Sequence, residues 1–339
     1  MIPWDGNVND AYYKTQIAYT MESLGIQKKV CLINKTEQYS SYEWFDAINK
    51  SDVDIVVINA SEHPEYKFHE TELSVIEKPH IILNSDFNQT DYYPFWMFSS
   101  RQWDTFSYEE LGMKKSHSVS MLCYKSRIPR IHALLELSKK SYYGDIQLTW
   151  GELVTNITTE LVREITVNVH SSMPMEFHNF ENGIAQFIDL RKTMNSTNTY
   201  LNVDDIRYGM GDAYLQIVPE SRPECNGFIS EKIFKPIRAG QLFLVQGSVG
   251  TVAKLKQMGF DTFDDLIDHS IYDDEPDWAL RTIKMQEVLD SIYHDIEDMY
   301  FATIARRQRN IELLKSQQIY DYGVQHMRNS INTLSAHIR

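Results

Sequence analysis

An acidic and a basic residue stand side by side at Glu231 and Lys232, at the start of a predicted helix. A carboxylate accepts hydrogen bonds from sugar hydroxyls, and a lysine ammonium attracts phosphate as a point charge. The backbone N–H groups at a helix start also favour an anion, and Ser230 is a suitable N-cap residue. These three residues together have the chemistry needed to hold a nucleoside diphosphate.

The elements around this pair are those of a nucleotide-binding unit. An apolar run at 214–218 predicts a strand, and a loop rich in Pro, Ser and Gly follows it. The helix over 230–238 leads to a second apolar strand at 242–245, which ends in a Gly-Ser-Val-Gly turn. Because ligands of parallel sheets bind at the carboxyl ends of the strands, we expect the site at that edge.

Short apolar runs between helical patterns predict an α/β fold with parallel sheets. Strands are predicted at 30–33, 55–58, 81–83, 94–98 and 119–123, and helices at 8–24, 42–48, 130–139, 251–258 and through most of 277–337. The pattern restarts near residue 112, whereas residues 141–212 have no clear periodicity. We therefore predict two Rossmann-like domains, 1–112 and 113–300, with C-terminal helices over 301–339 packing back across them.

Composition limits the classes of partner. The chain of 339 residues carries a net charge of −14, which disfavours nucleic-acid binding through the overall field. A basic run from Lys114 to Lys140 is the one candidate for a local DNA groove. No apolar run reaches the roughly 18 residues of a membrane span, and the N-terminus lacks the pattern of a signal peptide. Three widely spaced cysteines indicate a reducing setting, so we expect a cytoplasmic protein, monomeric or homodimeric, without membrane contact.

Two segments resemble the donor-binding region of the α1,3-fucosyltransferase family. Pro219-Glu220-Ser221 and Ile229-Ser230-Glu231-Lys232 correspond to the two halves of its motif, with Ser in place of the usual Thr and a loop about two residues longer. The stretch 118–137 is similar to the family's first strand–loop–helix of the C-terminal domain, and 247–265 resembles related phage-type glycosyltransferases. The resemblance covers roughly residues 117–300. It implies that the domain 113–300 binds the nucleotide-sugar and that the domain 1–112 lies on the acceptor side.

The resemblance implies a GT-B fold with two Rossmann-like domains facing a cleft and a metal-independent, inverting transfer of a sugar from a UDP- or GDP-linked donor, without a cofactor. The donor-binding candidates are Arg127, Arg130, Glu220, Ser221, Ser230, Glu231 and Lys232. Lys232 and one of the two arginines are expected to bind the diphosphate, Glu231 the ribose, and Glu220 and Ser221 the sugar or ribose. Lys235 and Arg238, on the same helix, are expected at the surface. Asp204-Asp205 and Asp273-Asp274 are interpreted as turns, so no metal site is predicted.

An inverting transfer also needs a general base, which we expect at a strand end of the first domain. Asp86 follows the strand at 81–83 and is the best placed, with Glu62, His63 and Asp5 as alternatives. No motif selects among them.

The sequence is compatible with more than one acceptor. Phage enzymes of this type modify hydroxymethylcytosine in duplex DNA, and the composition of the chain is compatible with a phage protein, whose site of action would be the host cytoplasm. A glycan acceptor, as in the fucosyltransferases, needs no basic groove. A third alternative is a module that binds a nucleotide-sugar without catalysis, since a fold does not determine a function.

Overall fold

In a computed structural model, the described residues are 30–34, 49–50, 52, 55–59, 77, 80–83, 105–123, 128–150, 211–220, 222–224, 227–319, 321–322 and 325. The chain divides into two compact units. The first comprises Met1–Phe98, Cys225–Ile229 and Ser316–Arg339, and the second comprises Ser99–Glu224 and Ser230–Lys315. The predicted boundaries at residues 112 and 300 stay predictions.

The first unit contains a parallel sheet. Its strands are β1 (Val30–Asn34), β2 (Ile55–Asn59) and β3 (His80–Leu83), with β2 in the middle. This confirms the strands predicted from the first three apolar runs. The predicted helices at 8–24 and 42–48 and the predicted strand at 94–98 lie outside the described residues.

The second unit contains a separate parallel sheet in the order β5-β4-β6-β7. Its strands are β4 (His117–Cys123), β5 (Gln147–Trp150), β6 (Ala213–Pro219) and β7 (Leu242–Gln246). All residues of β6 and β7 are buried, as expected for apolar runs in a sheet covered on both faces. The chain is therefore an α/β protein, and β5 is a strand that the sequence did not predict.

Helices flank this second sheet. They are α1 (Tyr108–Leu111), α2 (Ile128–Ser138), α3 (Glu231–Arg238), α4 (Thr251–Gln257), α5 (Trp278–Ile292), α6 (Ile296–Ala302) and α7 (Ile304–Lys315). Helix α5 packs against α2 and β7, and α3 packs against β6 and β7. The helices predicted at 130–139, 230–238 and 251–258 are confirmed, with the ends shifted by a few residues at most.

Helix α4 receives its N-terminal cap from a distant residue. Gly250 precedes the helix with a φ of 75° and has no side chain to offer. The Asp273 carboxylate instead accepts hydrogen bonds from the N–H groups of Val252 and Ala253, both at 3.0 Å. Asp273 lies in a turn, as predicted, and this turn caps the N-terminus of α4.

The segment between α4 and α5 is held by charged side chains. Arg306 of α7 bonds the carboxylates of Asp261 and Asp265, with contacts of 2.6 to 2.9 Å. Asp261 also accepts the N–H of Phe263, whose φ of 62° lies in the left-handed region that bulky residues rarely adopt. Residues 259–263, which read Gly-Phe-Asp-Thr-Phe, therefore have a structural role in this unit, because they anchor a strained turn to α7.

A buried histidine lies at the end of this segment. His269 is 4% exposed, and its Nε2 lies 2.9 Å from the Thr262 carbonyl oxygen, which can only accept a hydrogen bond. Nε2 therefore carries the proton, and Nδ1 accepts from the Tyr272 hydroxyl at 2.6 Å. Burial lowers the pKa of His269 to about 4, although the bond to Thr262 opposes this effect.

We expect this histidine to make the protein less stable in mild acid. Because its folded-state pKa lies below the unfolded value of about 6.5, its stabilising effect is complete above that pH and is lost as the pH falls towards 4. At pH 5 the loss is about 2 kcal/mol. Urea unfolding at pH 7.5 and pH 5.0 would measure this loss of stability.

His269→Gln keeps a donor and an acceptor without titrating, so its free energy of unfolding should fall less between the two pH values. An equal fall in both proteins would contradict the assignment of the effect to His269.

Candidate functional site

The strand ends of the second sheet meet at one edge. Strand β4 pairs with β5 on one side and β6 on the other, so the chain leaves β4 in one direction and returns on the opposite side. Such a change of direction leaves a crevice at the carboxyl ends of the two central strands, where parallel sheets bind their ligands. Cys123 ends β4 and Pro219 ends β6, which places Glu220 at this edge.

Glu220 fixes the start of helix α3. The Ser230 hydroxyl donates to one Glu220 carboxylate oxygen at 2.6 Å, and the Ser230 N–H donates to the other at 3.1 Å. The Glu220 N–H itself donates to the carbonyl of Gln246, at the end of β7. Glu220 is 1% exposed, so in this structure it connects two strand ends to the helix rather than facing solvent.

Lys232 lies between two carboxylates. Its Nζ donates to the Ser230 hydroxyl at 2.9 Å and to Glu231 at 3.1 Å, and it lies 3.6 Å from the nearer Glu220 oxygen. Ser230 also caps the helix by accepting the Lys232 N–H at 3.2 Å. The side chains of Glu231 and Lys232 are each 22% exposed, so both are accessible to a ligand.

Glu231 is ionised throughout the physiological range. Burial of its carboxyl raises the pKa, but the charges of Lys232 and Lys235 and the hydrogen bond from Lys232 outweigh this effect and lower the pKa to about 2. An ionised carboxylate at a helix start can accept hydrogen bonds from two neighbouring hydroxyls of a ribose. The arrangement thus provides an acceptor and a cation next to each other.

Arg130 of helix α2 lies at the same edge of the sheet. It is 5% exposed, and its Nε donates to the Pro219 carbonyl at 3.3 Å. The thiol of Cys123 lies within electrostatic range of Arg130 and Lys232: burial raises its pKa to about 12, and both cations oppose the rise. The structure therefore brings Arg130, Glu220, Ser230, Glu231 and Lys232 to one edge of the sheet.

The other predicted site residues lie outside the described residues. These are Arg127 and Ser221 of the donor-binding set and the candidate bases Asp5, Glu62, His63 and Asp86. Within the described part of the chain, no group of three or more His, Cys, Asp or Glu side chains is arranged to hold a metal ion. In the same part, no helix is both long and apolar enough to cross a bilayer.

Two basic residues of α3 differ from the sequence expectation. Arg238, expected at the surface, is fully buried, and Lys235 is half-buried. Lys235 follows Glu231 by four positions, and this spacing places the two side chains on one face of a helix. Their proximity could therefore be predicted from the sequence. Arg238 has no comparable signal.

Arg281 holds the loops that follow the two strands. This arginine of α5 is 1% exposed and donates to the carbonyls of Pro223 at 3.1 Å and of Gly247. It also bonds the carbonyls of Glu275 and Pro276, at 2.7 and 3.2 Å. Pro223 follows β6 and Gly247 follows β7, so one side chain fixes both loops at the carboxyl edge. No sequence pattern marks this residue.

Comparisons with protein-family models, with curated proteins and with solved structures find no match for this chain.

Proposed function

We propose that the chain is a metal-independent, inverting glycosyltransferase of the GT-B type, which binds a nucleoside-diphosphate sugar at the carboxyl edge of its second sheet. The observation that carries the proposal is the cluster of Glu220, Ser230, Glu231 and Lys232 at this edge. The presence of Arg130 beside the cluster supports it, as does the α/β character of the chain. In a GT-B enzyme the two Rossmann-like domains would face each other across the cleft.

Each residue of the cluster has a role in this proposal. Lys232 and Arg130 offset the negative charge that develops on the leaving diphosphate, and the N-terminus of α3 adds its partial positive charge. Glu231 accepts hydrogen bonds from the ribose hydroxyls. Ser230 and Glu220 hold the start of the helix, and with it Lys232, in place before the donor binds.

The chemical step is a single displacement. A base in the first domain, with Asp86 as the leading candidate ahead of Glu62 and Asp5, takes the proton of the acceptor hydroxyl. The acceptor oxygen then attacks the anomeric carbon, and the bond from that carbon to the diphosphate oxygen breaks. The nucleoside diphosphate leaves with the bonding electron pair, and the anomeric configuration is inverted.

The cations in the described part of the run from Lys114 to Lys140 are paired or buried, which favours a glycan or another small hydroxyl acceptor over duplex DNA. Lys114, Lys139 and Lys140 are paired with carboxylates, those of Glu297, Glu136 and Asp290 respectively. Lys115 is 9% exposed and lies over the ring of Phe106, and Arg130 is buried at the donor edge. Paired or buried cations attract the phosphate backbone weakly, so the described part of this run offers little to a duplex.

A thermal-shift screen with UDP, GDP, ADP, CMP and their common sugar conjugates, with and without EDTA, tests the donor class. A ligand of the native state raises the melting temperature by mass action. We expect a clear rise with one nucleoside diphosphate, insensitive to EDTA. If no nucleotide raises the melting temperature and none binds by calorimetry, the proposal is wrong.

The ribose contact of Glu231 has a separate test. Loss of hydrogen bonds to a charged group typically costs about 1.5 kcal/mol or more, so the wild-type protein should bind the ribose form of its nucleoside diphosphate about 10-fold more tightly than the 2′,3′-dideoxy form. Glu231→Gln should lose most of this preference. Glu287→Gln, at an exposed position of α5, is the matched control and should keep it. An undiminished preference in the Glu231 variant would exclude this role.

A further inference from the structure

Lys235 is a half-buried cation of helix α3. It lies one helical turn after Glu231 on α3. Within the part of the chain that the structure describes, its ammonium forms no hydrogen bond and no ion pair. Burial of an unpaired charge is unfavourable, and proteins usually avoid it by pairing the charge or leaving it in water.

The neighbours of Lys235 make its position more unfavourable. Burial lowers its pKa, and Lys232, Arg238 and Arg130 lower it further, whereas Glu231 opposes them. Lys232 is already held between Glu220 and Glu231. The cations that act on Lys235 therefore outnumber the carboxylates that act on it. Groups perturbed in this way concentrate at functional sites, where an arrangement that is unfavourable in the free protein becomes favourable on binding.

We propose that Lys235 is a second anion-binding residue of this site, which binds one phosphate of a diphosphate while Lys232 binds the other. The site would then select a diphosphate over a monophosphate. This inference rests on the proposed function for its natural ligand, but the anion site can be tested without a nucleotide. If Lys235 only packed its apolar stem against the protein, removal of its charge would change neither the affinity for pyrophosphate nor the melting temperature.

The test compares Lys235→Met with the wild-type protein. Methionine keeps an unbranched apolar stem and removes the charge. In the absence of ligand the variant should melt about 2 °C higher, because it no longer carries a half-buried cation beside other cations. Its affinity for inorganic pyrophosphate, measured by calorimetry, should fall about 10-fold, and its affinity for orthophosphate should fall less than about 3-fold.

Lys254→Met is the matched control. Lys254 is also half-buried, on α4, and burial also lowers its pKa, but it is absent from the cluster at the strand ends. This variant should bind pyrophosphate as the wild-type protein does.

The outcomes separate the two proposals. If Lys235→Met binds pyrophosphate as tightly as the wild-type protein, the role of Lys235 is overturned and the nucleotide site is unaffected. If the wild-type protein binds pyrophosphate through Lys235 but binds no nucleoside diphosphate, the anion site stands and the proposed function fails. If the wild-type protein binds neither ligand, both are overturned.

Discussion

Lys232→Ala is expected to weaken binding of the nucleoside diphosphate by about 100-fold while leaving the fold intact. The ammonium stands at the start of α3, 22% exposed, with Ser230 and two carboxylates fixing its position. A charge-assisted contact of this kind is worth about 2–3 kcal/mol, which corresponds to the expected loss. Isothermal titration calorimetry with UDP and GDP would measure the affinity, and circular dichroism with thermal unfolding would verify the fold.

Two companion variants make this result interpretable. Lys254→Ala removes a lysine from α4, outside the cluster, and should leave the affinity within about 2-fold. Lys232→Arg retains the charge but not the compact ammonium, so we expect it to recover only part of the binding. A folded Lys232→Ala protein with unchanged affinity would show that the phosphate is bound elsewhere.

Arg281→Met should lower the free energy of unfolding by about 3 kcal/mol. The guanidinium is buried and bonds four carbonyls, which its removal would leave without these donors. Because two of these carbonyls belong to the loops after β6 and β7, we also expect weaker nucleotide binding in the folded fraction. Urea denaturation at neutral pH would measure the change in stability.

Arg309→Met serves as the control for Arg281. Arg309 is exposed on α7, and its substitution should change the stability by less than about 0.5 kcal/mol. Arg281→Lys cannot reach all four carbonyls and should lose most of the same stability. Equal stability of the Arg281→Met and Arg309→Met proteins would contradict the role of Arg281 in holding the loops.

The sequence predicted much of the sheet structure because buried parallel strands are continuous apolar runs. The runs at 30–33, 242–245 and 119–123 identify β1, β7 and β4 to within two residues at each end. Strand β5 was missed because it reads Gln-Leu-Thr-Trp within a polar stretch. Its conformation depends on pairing with β4, which a local pattern cannot reveal.

The sequence predicted which residues form the candidate site, but it did not predict the hydrogen bonds between them. Ser230, Glu231 and Lys232 were identified by spacing and by the chemistry of a helix start. Glu220 was expected to touch a sugar or a ribose, whereas both its carboxylate oxygens bond Ser230, a contact between residues ten positions apart. Arg238 is buried because of the packing around α3. Its residue type predicts the opposite, since arginine side chains are seldom fully buried.

The cap of α4 links the formation of that helix to the docking of a later part of the chain. The N–H groups of Val252 and Ala253 gain their acceptor only when Asp273, 21 residues beyond Val252, has reached its place. Hydrogen exchange at these two amides would therefore follow opening of the turn at Asp273 rather than fraying of the helix. Their exchange rates therefore show whether the turn at Asp273 is docked on the start of α4. In Asp273→Ala, both amides should exchange at the rate of an uncapped helix end.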